Sequence, residues 1–254
     1  MRIASALLAT TLLTACATQP TVPNALPEGF VHLSVLAPSI RQDMRYAGST
    51  NFMGRKVDSY KAAECIVTRE TAQALSLAQD AVRPKGLTLV MLDCYRPARA
   101  VADFMRWTQT PGPADPMWRP NVAKDRLVPD GYIAARSGHS RGSTVDVALA
   151  RLNPLPSDTS ARQSPCARAD MTTLDFGTPF DCFDPASATA FPTLTPQARI
   201  NRDILLDAMI KAGFRNYAAE WWHFTLVSER NKTEIFDFPV SGPVTGPIAG
   251  NVRR

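Results

Sequence analysis

Long apolar runs, clustered charge and internal repeats are all absent from this chain of 254 residues. After the first sixteen residues, no stretch reaches the roughly 18–20 apolar residues that a transmembrane helix requires. The formal net charge is only +5, and no run of five or six like charges occurs, which argues against a nucleic-acid partner. Hydrophobic residues make up 45% and charged residues 20%, values typical of a globular protein rather than a disordered or fibrous one.

The beginning of the chain has the pattern of an export signal. An apolar run over residues 3–15 follows Arg2 and is too short to span a bilayer. It ends in the letters LTAC, which resemble the bacterial lipobox, in which the cysteine, here Cys16, is acylated. We therefore expect a signal peptide over residues 1–15, a lipidated tether over residues 16–29, and an exported lipoprotein that faces the periplasm and is anchored in the membrane. An ordinary signal peptide followed by a chance cysteine is the alternative.

Cysteine is also scarce, with five in the chain. With Cys16 set aside, four remain, and an even number in an oxidising compartment suggests two disulfides with three possible connectivities. Proximity in sequence favours Cys65–Cys94 and Cys166–Cys182. Four buried free thiols are the alternative, which is less common outside the cytosol.

Hydrophobic spacing predicts a mixture of helices and strands. Helices are predicted over residues 68–82, 97–107 and 195–212, and strands over residues 87–92, 143–152, 214–217 and 221–227. Residues 143–152 alternate, as expected for a half-buried strand, and the last helix has an apolar stripe of Ile200, Ile204, Leu205, Ala208, Met209 and Ala212. A long loop is expected over residues 108–136. The order lacks a regular βαβ rhythm and indicates an α+β fold, with poor order after Phe238 and a flexible tail over residues 241–254.

Histidine is the scarcest functional residue, with only three in the chain. His139 lies in a Ser/Gly-rich turn before the strand that contains Asp146, and His223 begins an aromatic strand. Two histidines, one aspartate and an open fourth position are typical of a catalytic zinc ion. Glu220 would be the general base only if it lies on the turn before the strand, because Glu220 and His223 would face opposite ways in a regular strand.

Each of these residues also has a plainer interpretation. A histidine before a strand is more often a core or surface residue than a metal ligand. Asp146 could pair with Arg141 or Arg151, and Glu220 could be a solvated carboxylate on a turn. Spacing alone leaves both interpretations open.

Six segments, in order, resemble the zinc D-Ala-D-Ala dipeptidases, which belong to the wider family of zinc D,D-peptidases. They are DMRYA with NFMG (residues 43–54), DCYRP (93–97), SGHSRGSTVD (137–146), FGTPFD (176–181), EWWHF (220–224) and FDFP (236–239). The resemblance covers residues 30–240. It implies one α+β catalytic domain with a central antiparallel sheet flanked by helices.

The resemblance also implies a role for each residue of the site. His139, Asp146 and His223 would bind one Zn²⁺ per chain, and Glu220 would pass a proton from the attacking water to the leaving amine. Arg96 would stabilise the tetrahedral intermediate, although an ion pair that braces the loop is the alternative. Tyr46 and Ser137 would bind the amino end of the substrate, and their alternatives are a core residue and a turn residue.

One position departs from the family pattern. Pro179 stands where an aspartate that holds the substrate ammonium is expected, and Asp181 lies nearby in sequence. The expected substrate is the dipeptide D-Ala-D-Ala, hydrolysed to two D-Ala in cell-wall peptide turnover. The alternatives are a D,D-carboxypeptidase that acts on peptidoglycan stem peptides, and a non-catalytic lipoprotein that binds the wall or a metal.

Overall fold

The computed structural model describes residues 25–113, 115–153, 164–167 and 172–243. The predicted signal peptide, Cys16 and residues 244–254 lie outside these ranges. None of the helices in the described ranges has the length and apolar character that crossing a membrane requires.

The core of the fold is a five-stranded sheet. Its strands are β2 (Arg41–Gln42), β4 (Leu87–Asp93), β5 (Thr144–Arg151), β6 (Phe214–Asn216) and β7 (His223–Leu226), in the spatial order β2-β4-β5-β7-β6. All neighbours are antiparallel except the short β2, which pairs with β4 in parallel. The predicted α+β fold is confirmed, with the qualification that the sheet is mostly rather than entirely antiparallel.

A second, smaller sheet was not expected from the sequence. It joins β1 (Phe30–His32) to β3 (Ile66–Thr68) in antiparallel register. A one-turn helix, α1 (Leu33–Leu36), follows β1 directly. Strands of three residues carry too few side chains for an alternating pattern to be recognised.

Three longer helices lie close to the predicted positions. They are α2 (Arg69–Val82), α3 (Ala98–Thr108) and α4 (Pro196–Lys211). Thr68 and Thr195 cap α2 and α4 by accepting hydrogen bonds from the backbone N–H groups of Thr71 and Ala198, which satisfies donors that a helix leaves free at its start. Helices α2 and α4 pack against each other and α2 packs on β4.

The apolar stripe predicted for α4 is partly wrong. Ile200 is 51% exposed, whereas Arg202 is only 2% exposed. The guanidinium of Arg202 donates to the backbone carbonyls of Phe176, Ala186 and Ala188. A polar side chain therefore occupies a core position because it satisfies carbonyls of the segment packed against the helix.

Two further predictions are also wrong, one about the burial of β5 and one about the order of the chain after Phe238. Strand β5, which lies between β4 and β7 in the sheet, is buried along seven of its eight residues rather than on one face. The chain beyond Phe238 is ordered as far as Val240, which is fully buried and bridges to Tyr60. The remaining tail prediction falls on residues 241–254, of which residues 244–254 lie outside the described ranges.

Both predicted cysteine pairs form disulfides in the structure. Cys65 and Cys94 join the end of the segment before β3 to the residue after β4, and Cys166 and Cys182 are joined across 16 positions of sequence. All four residues are buried. The first bond holds the chain at the end of β4, and the second holds the residue that follows Asp181.

Candidate active site

His139 lies on a short 3₁₀ helix, Gly138–Arg141, just before β5. The Ser137 hydroxyl caps this helix by accepting from the His139 backbone N–H at 3.3 Å. The ring Nδ1 lies 2.8 Å from the carbonyl oxygen of Cys94. A carbonyl can only accept, so Nδ1 carries the proton in the neutral ring and Nε2 is left as a free lone pair.

The register of three adjacent strands aligns the carboxylates and the second histidine. Asp146 on β5 lies opposite His223 on β7. A register irregularity at the end of β4 places Asp93 opposite Asp146 on the other side. Asp93, Asp146 and His223 therefore form a row across the sheet.

His139, Asp146 and His223 form a group that could bind a metal ion. Each offers one ligand atom, and these atoms all lie within 4.8 Å of one another. Nε2 of His139 lies 3.3 Å from Oδ1 of Asp146, and Nδ1 of His223 lies 3.1 Å from the same oxygen. That oxygen is buried and accepts no hydrogen bond of good geometry from the described residues. The lone pair on Nε2 of His139 faces this carboxylate oxygen, and both atoms are electron donors. A cation between them would therefore satisfy both.

Electrostatics agree with this geometry. Burial alone would raise the pKa of Asp146, but the two adjacent imidazoles hold that pKa below its usual range. Asp146 is therefore ionised near neutral pH, which is the state in which a carboxylate binds a metal.

Glu220 lies on the turn before β7, which is the position that its predicted role requires. Its backbone N–H donates to the Tyr217 carbonyl at 2.9 Å, and its carboxylate approaches Nδ1 of His223 to 3.4 Å. Burial raises the pKa of Glu220 to about 7. A carboxylate with a pKa near neutrality can both take up and release a proton at physiological pH.

Arg96 lies between two carboxylates beside the predicted ligands. Its Nε and Nη2 each lie 2.9 Å from Oδ2 of Asp93, and Nη2 lies 3.6 Å from Oδ2 of Asp146. Its guanidinium also packs over the rings of Tyr46 and Phe104 at 5.1 and 5.0 Å. Burial opposes the charge, but Asp93 in particular raises the pKa of Arg96, so the cation is fixed in place.

Tyr46 and Asp181 are brought together across 135 positions of sequence. The Tyr46 hydroxyl donates to Oδ2 of Asp181 at 2.9 Å. Both side chains are buried, and Asp181 has a positive φ of 60°, a backbone geometry that non-glycine residues rarely adopt. Burial, with the charge of Asp146, raises the pKa of Asp181 well above its usual range.

All seven predicted metal, catalytic and substrate-binding residues line one pocket. Its volume is about 230 Å³, and Asp181 lines it as well. Aromatic rings of Phe52, Phe104 and Trp222 form part of its wall. The pocket is small and partly apolar, and carboxylates and a guanidinium also line it.

Two residues of the site were missed or misjudged from the sequence. Asp93 holds Arg96, accepts from the Tyr60 hydroxyl at 2.6 Å and lies 3.5 Å from the His139 ring. Asp93 is the first residue of the DCYRP segment, and this position could have indicated that it belongs to the site. Asp181, two residues after Pro179, supplies a carboxylate to the pocket, whereas Pro179 does not line it.

The fold and the site together define a peptidase of the metal-dependent class, in which a His/Asp/His group lies beside a buried glutamate. Comparison with known proteins identifies the family. The family model described as D-ala-D-ala dipeptidase (Peptidase_M15) matches residues 27–241. The chain belongs to this family.

Several relatives share most of their length with this chain. A D-alanyl-D-alanine dipeptidase of Streptomyces coelicolor is 36% identical over 214 residues, covering 84% of this chain and 98% of the relative. One of Enterococcus faecium is 34% identical over 214 residues, with the same coverage. One of Escherichia coli is 29% identical over 196 residues, covering 77% and 83%.

Proposed function

We propose that this protein hydrolyses D-Ala-D-Ala to two molecules of D-Ala, with one zinc ion bound by His139, Asp146 and His223. The observation that carries the proposal is the single pocket in which these residues meet Glu220, Arg96 and the Tyr46–Asp181 pair. The names of the relatives support the same substrate. Two imidazoles and one carboxylate with an open position are the ligand set of a catalytic zinc ion.

A zinc ion at this site would lower the pKa of a coordinated water towards neutrality and polarise the scissile carbonyl. Glu220 accepts the proton of the attacking water and delivers it to the leaving amine. Its position 3.4 Å from His223 places it beside the ligands, and its pKa of about 7 suits both steps.

Arg96 and the Tyr46–Asp181 pair act on the substrate. The guanidinium of Arg96 is held by Asp93 and presents a preorganised positive charge for the oxyanion that develops on the scissile carbonyl. Asp181 pairs with the substrate ammonium, whose positive charge favours the ionised carboxylate that burial otherwise disfavours, and the Tyr46 hydroxyl fixes its orientation. Ser137, which lines the same pocket, would assist at the amino end.

The size of the pocket favours a dipeptide over a stem peptide of peptidoglycan. A cavity of about 230 Å³ with a carboxylate for a free ammonium leaves little space for residues before the first D-Ala, and such residues would clash rather than bind weakly. The sequence pattern around Cys16 supports an exported lipoprotein that turns over wall-derived dipeptide at the membrane surface.

D-Ala release from two substrates tests the proposal. The purified full chain, loaded with Zn²⁺, is given D-Ala-D-Ala and, separately, a stem pentapeptide that ends in D-Ala-D-Ala. Cleavage of the dipeptide alone is expected. Cleavage of the pentapeptide would indicate a carboxypeptidase, and cleavage of neither would indicate a binding protein.

A further inference from the structure

A second cavity lies in the loop between α3 and β5. It has a volume of about 640 Å³ and is lined by residues 108–112 and 119–125. None of these residues lines the catalytic pocket. The cavity is therefore separate from the site of the proposed peptidase activity.

Two buried cations line this cavity. Arg119 is 5% exposed and Lys124 is 9% exposed, whereas lysine and arginine are rarely so buried without a partner of opposite charge. Lys124 donates to the Thr110 hydroxyl at 2.7 Å and lies 4.0 Å from the centre of the Trp107 ring. Arg119 donates to the Pro113 carbonyl.

Neither cation forms an ion pair with a carboxylate in the part of the chain that the structure describes. Asp125 lines the same cavity but lies outside ion-pair distance of both, and Arg126 pairs instead with Asp130. Burial, together with the charge of Arg119, lowers the pKa of Lys124. Two neighbouring cations without a carboxylate partner favour an anion between them.

Gly112 leaves a gap where the two cations converge. A Cβ atom at this residue would lie 3.7 Å from Nη2 of Arg119 and 3.8 Å from Nζ of Lys124. Both nitrogens therefore lie within 4 Å of one point beside Gly112, so they are close enough for two oxygens of one phosphoryl group to bridge them with hydrogen bonds of about 2.8 Å. Arginine and lysine are the side chains that bind phosphate most often in proteins.

We propose that this cavity is an anion site in which Arg119 and Lys124 bind the phosphoryl group of a phosphate-bearing ligand. The cavity is larger than a phosphate group requires, so the ligand extends beyond it. Inorganic phosphate or a small phosphate ester, and the headgroup of an anionic phospholipid, share this chemistry.

The site is connected to the segment that carries Asp181. The Asn121 amide donates to Asp184 at 2.8 Å, and the Phe183 backbone N–H donates to the Trp118 carbonyl at 2.7 Å. A ligand bound between Arg119 and Lys124 would therefore stabilise the wall of the catalytic pocket without contacting the catalytic residues.

Titration calorimetry of the full chain with inorganic phosphate, at constant ionic strength in chloride, tests the proposal. Saturable binding is expected, and Lys124→Gln and Arg119→Gln should each weaken it at least about tenfold, since each removes a charge-assisted hydrogen bond. Arg126→Gln is the matched control, because it removes a cation two residues from Lys124 that pairs with Asp130 outside the cavity, and its Kd should stay within about twofold of wild type.

Gly112→Asp provides a test that does not depend on losing a cation. The space at Gly112 is open at ordinary contact distances, so the new carboxylate can take the place of the ligand. The variant should have a higher Tm than wild type in chloride and should lose the rise in Tm that phosphate gives wild type. Absence of phosphate binding in wild type, or equal binding by wild type, Lys124→Gln and Gly112→Asp, would overturn the proposal.

A last arm distinguishes the two sources of the phosphoryl group. Short-chain phosphatidylglycerol and phosphatidylcholine are compared below their micelle concentrations, as competitors of inorganic phosphate. Competition by phosphatidylglycerol in wild type but not in Lys124→Gln supports a phospholipid headgroup. Phosphate binding without such competition supports a small soluble phosphate.

Discussion

Glu220 and His223 are three positions apart and contact each other, yet their proposed roles can be separated by mutation. Glu220→Ala should retain the metal and lower kcat by about 10²- to 10⁴-fold, because a positioned general base contributes about this much. His223→Ala, the control, should lose the metal itself. Metal content by mass spectrometry and the rate of D-Ala release measure both. A Glu220→Ala enzyme with a nearly unchanged kcat would remove the base from the mechanism.

Asp181 is the residue that should distinguish a free amino terminus from a blocked one. Asp181→Asn should raise KM for D-Ala-D-Ala by about ten- to a hundredfold, because a hydrogen bond to a charged group contributes about 1.5–3 kcal/mol. The effect on N-acetyl-D-Ala-D-Ala should be small. Tyr46→Phe keeps the carboxylate and removes only the donor at 2.9 Å, so it should have an intermediate effect. An unchanged preference for the free dipeptide in Asp181→Asn would contradict the assignment.

At the scale of the elements, the disulfide between Cys65 and Cys94 bears on the metal site directly. The Cys94 carbonyl orients His139 through the 2.8 Å contact with its Nδ1. Replacing both cysteines with serine should lower the free energy of unfolding by about 3–4 kcal/mol and weaken metal binding. The control, serine at Cys166 and Cys182, should cost similar stability with little change in metal affinity. Equal metal affinity of the two variants would show that the first bond does not position His139.

Helix α3 is attached to the preceding loop by Asp103. Its carboxylate accepts from Nη1 and Nη2 of Arg55 at 2.8 and 2.9 Å, and from the Asp58 backbone N–H at 3.2 Å. The hydrogen bonds with Arg55 are the main reason that the pKa of Asp103 lies below the ordinary value of about 3.9 for an aspartate. The contribution of Asp103 to stability is therefore present above that value and is lost as the pH falls through the folded-state pKa.

Asp103→Asn should lower the free energy of unfolding at pH 7 by about 1.5–3 kcal/mol, because it breaks a bidentate ion pair. The difference from wild type should shrink as the pH falls below about 4, where Asp103 of the unfolded chain becomes protonated, and towards the lower pKa of Asp103 in the folded protein. Denaturant unfolding at pH 7 and pH 3 measures this. Asp130→Asn is the control, since its partner Arg126 is exposed and such surface pairs contribute below about 1 kcal/mol.

At the scale of the whole molecule, the prediction concerns how the domain is attached to the membrane. If Cys16 is acylated, the full chain should fractionate with membranes and incorporate labelled palmitate. Cys16→Ser should abolish the label and release the protein, because it removes the thiol that would carry the acyl chain. Membrane retention of Cys16→Ser would point to a different anchor.

Local chemistry accounts for the elements that were predicted well. Thr68 and Thr195 at the starts of α2 and α4, and the apolar run of β4, are signals contained within a few residues. The predictions for Ile200 and β5 were wrong because burial depends on what packs against an element. Arg202 displaces the expected stripe by satisfying three carbonyls of a distant segment.

The sequence by itself indicated the family and the residue types of the candidate metal site, and proximity in sequence favoured the two cysteine pairs, because these depend on residue identity and short spacing. Only the tertiary structure decided that Asp93, Asp146 and His223 form a row, since strand register joins residues that are far apart in sequence. It also decided that Asp181 rather than Pro179 enters the pocket, and that Arg119 and Lys124 converge at Gly112. Such placements follow from long-range packing and backbone geometry, which a linear pattern does not encode.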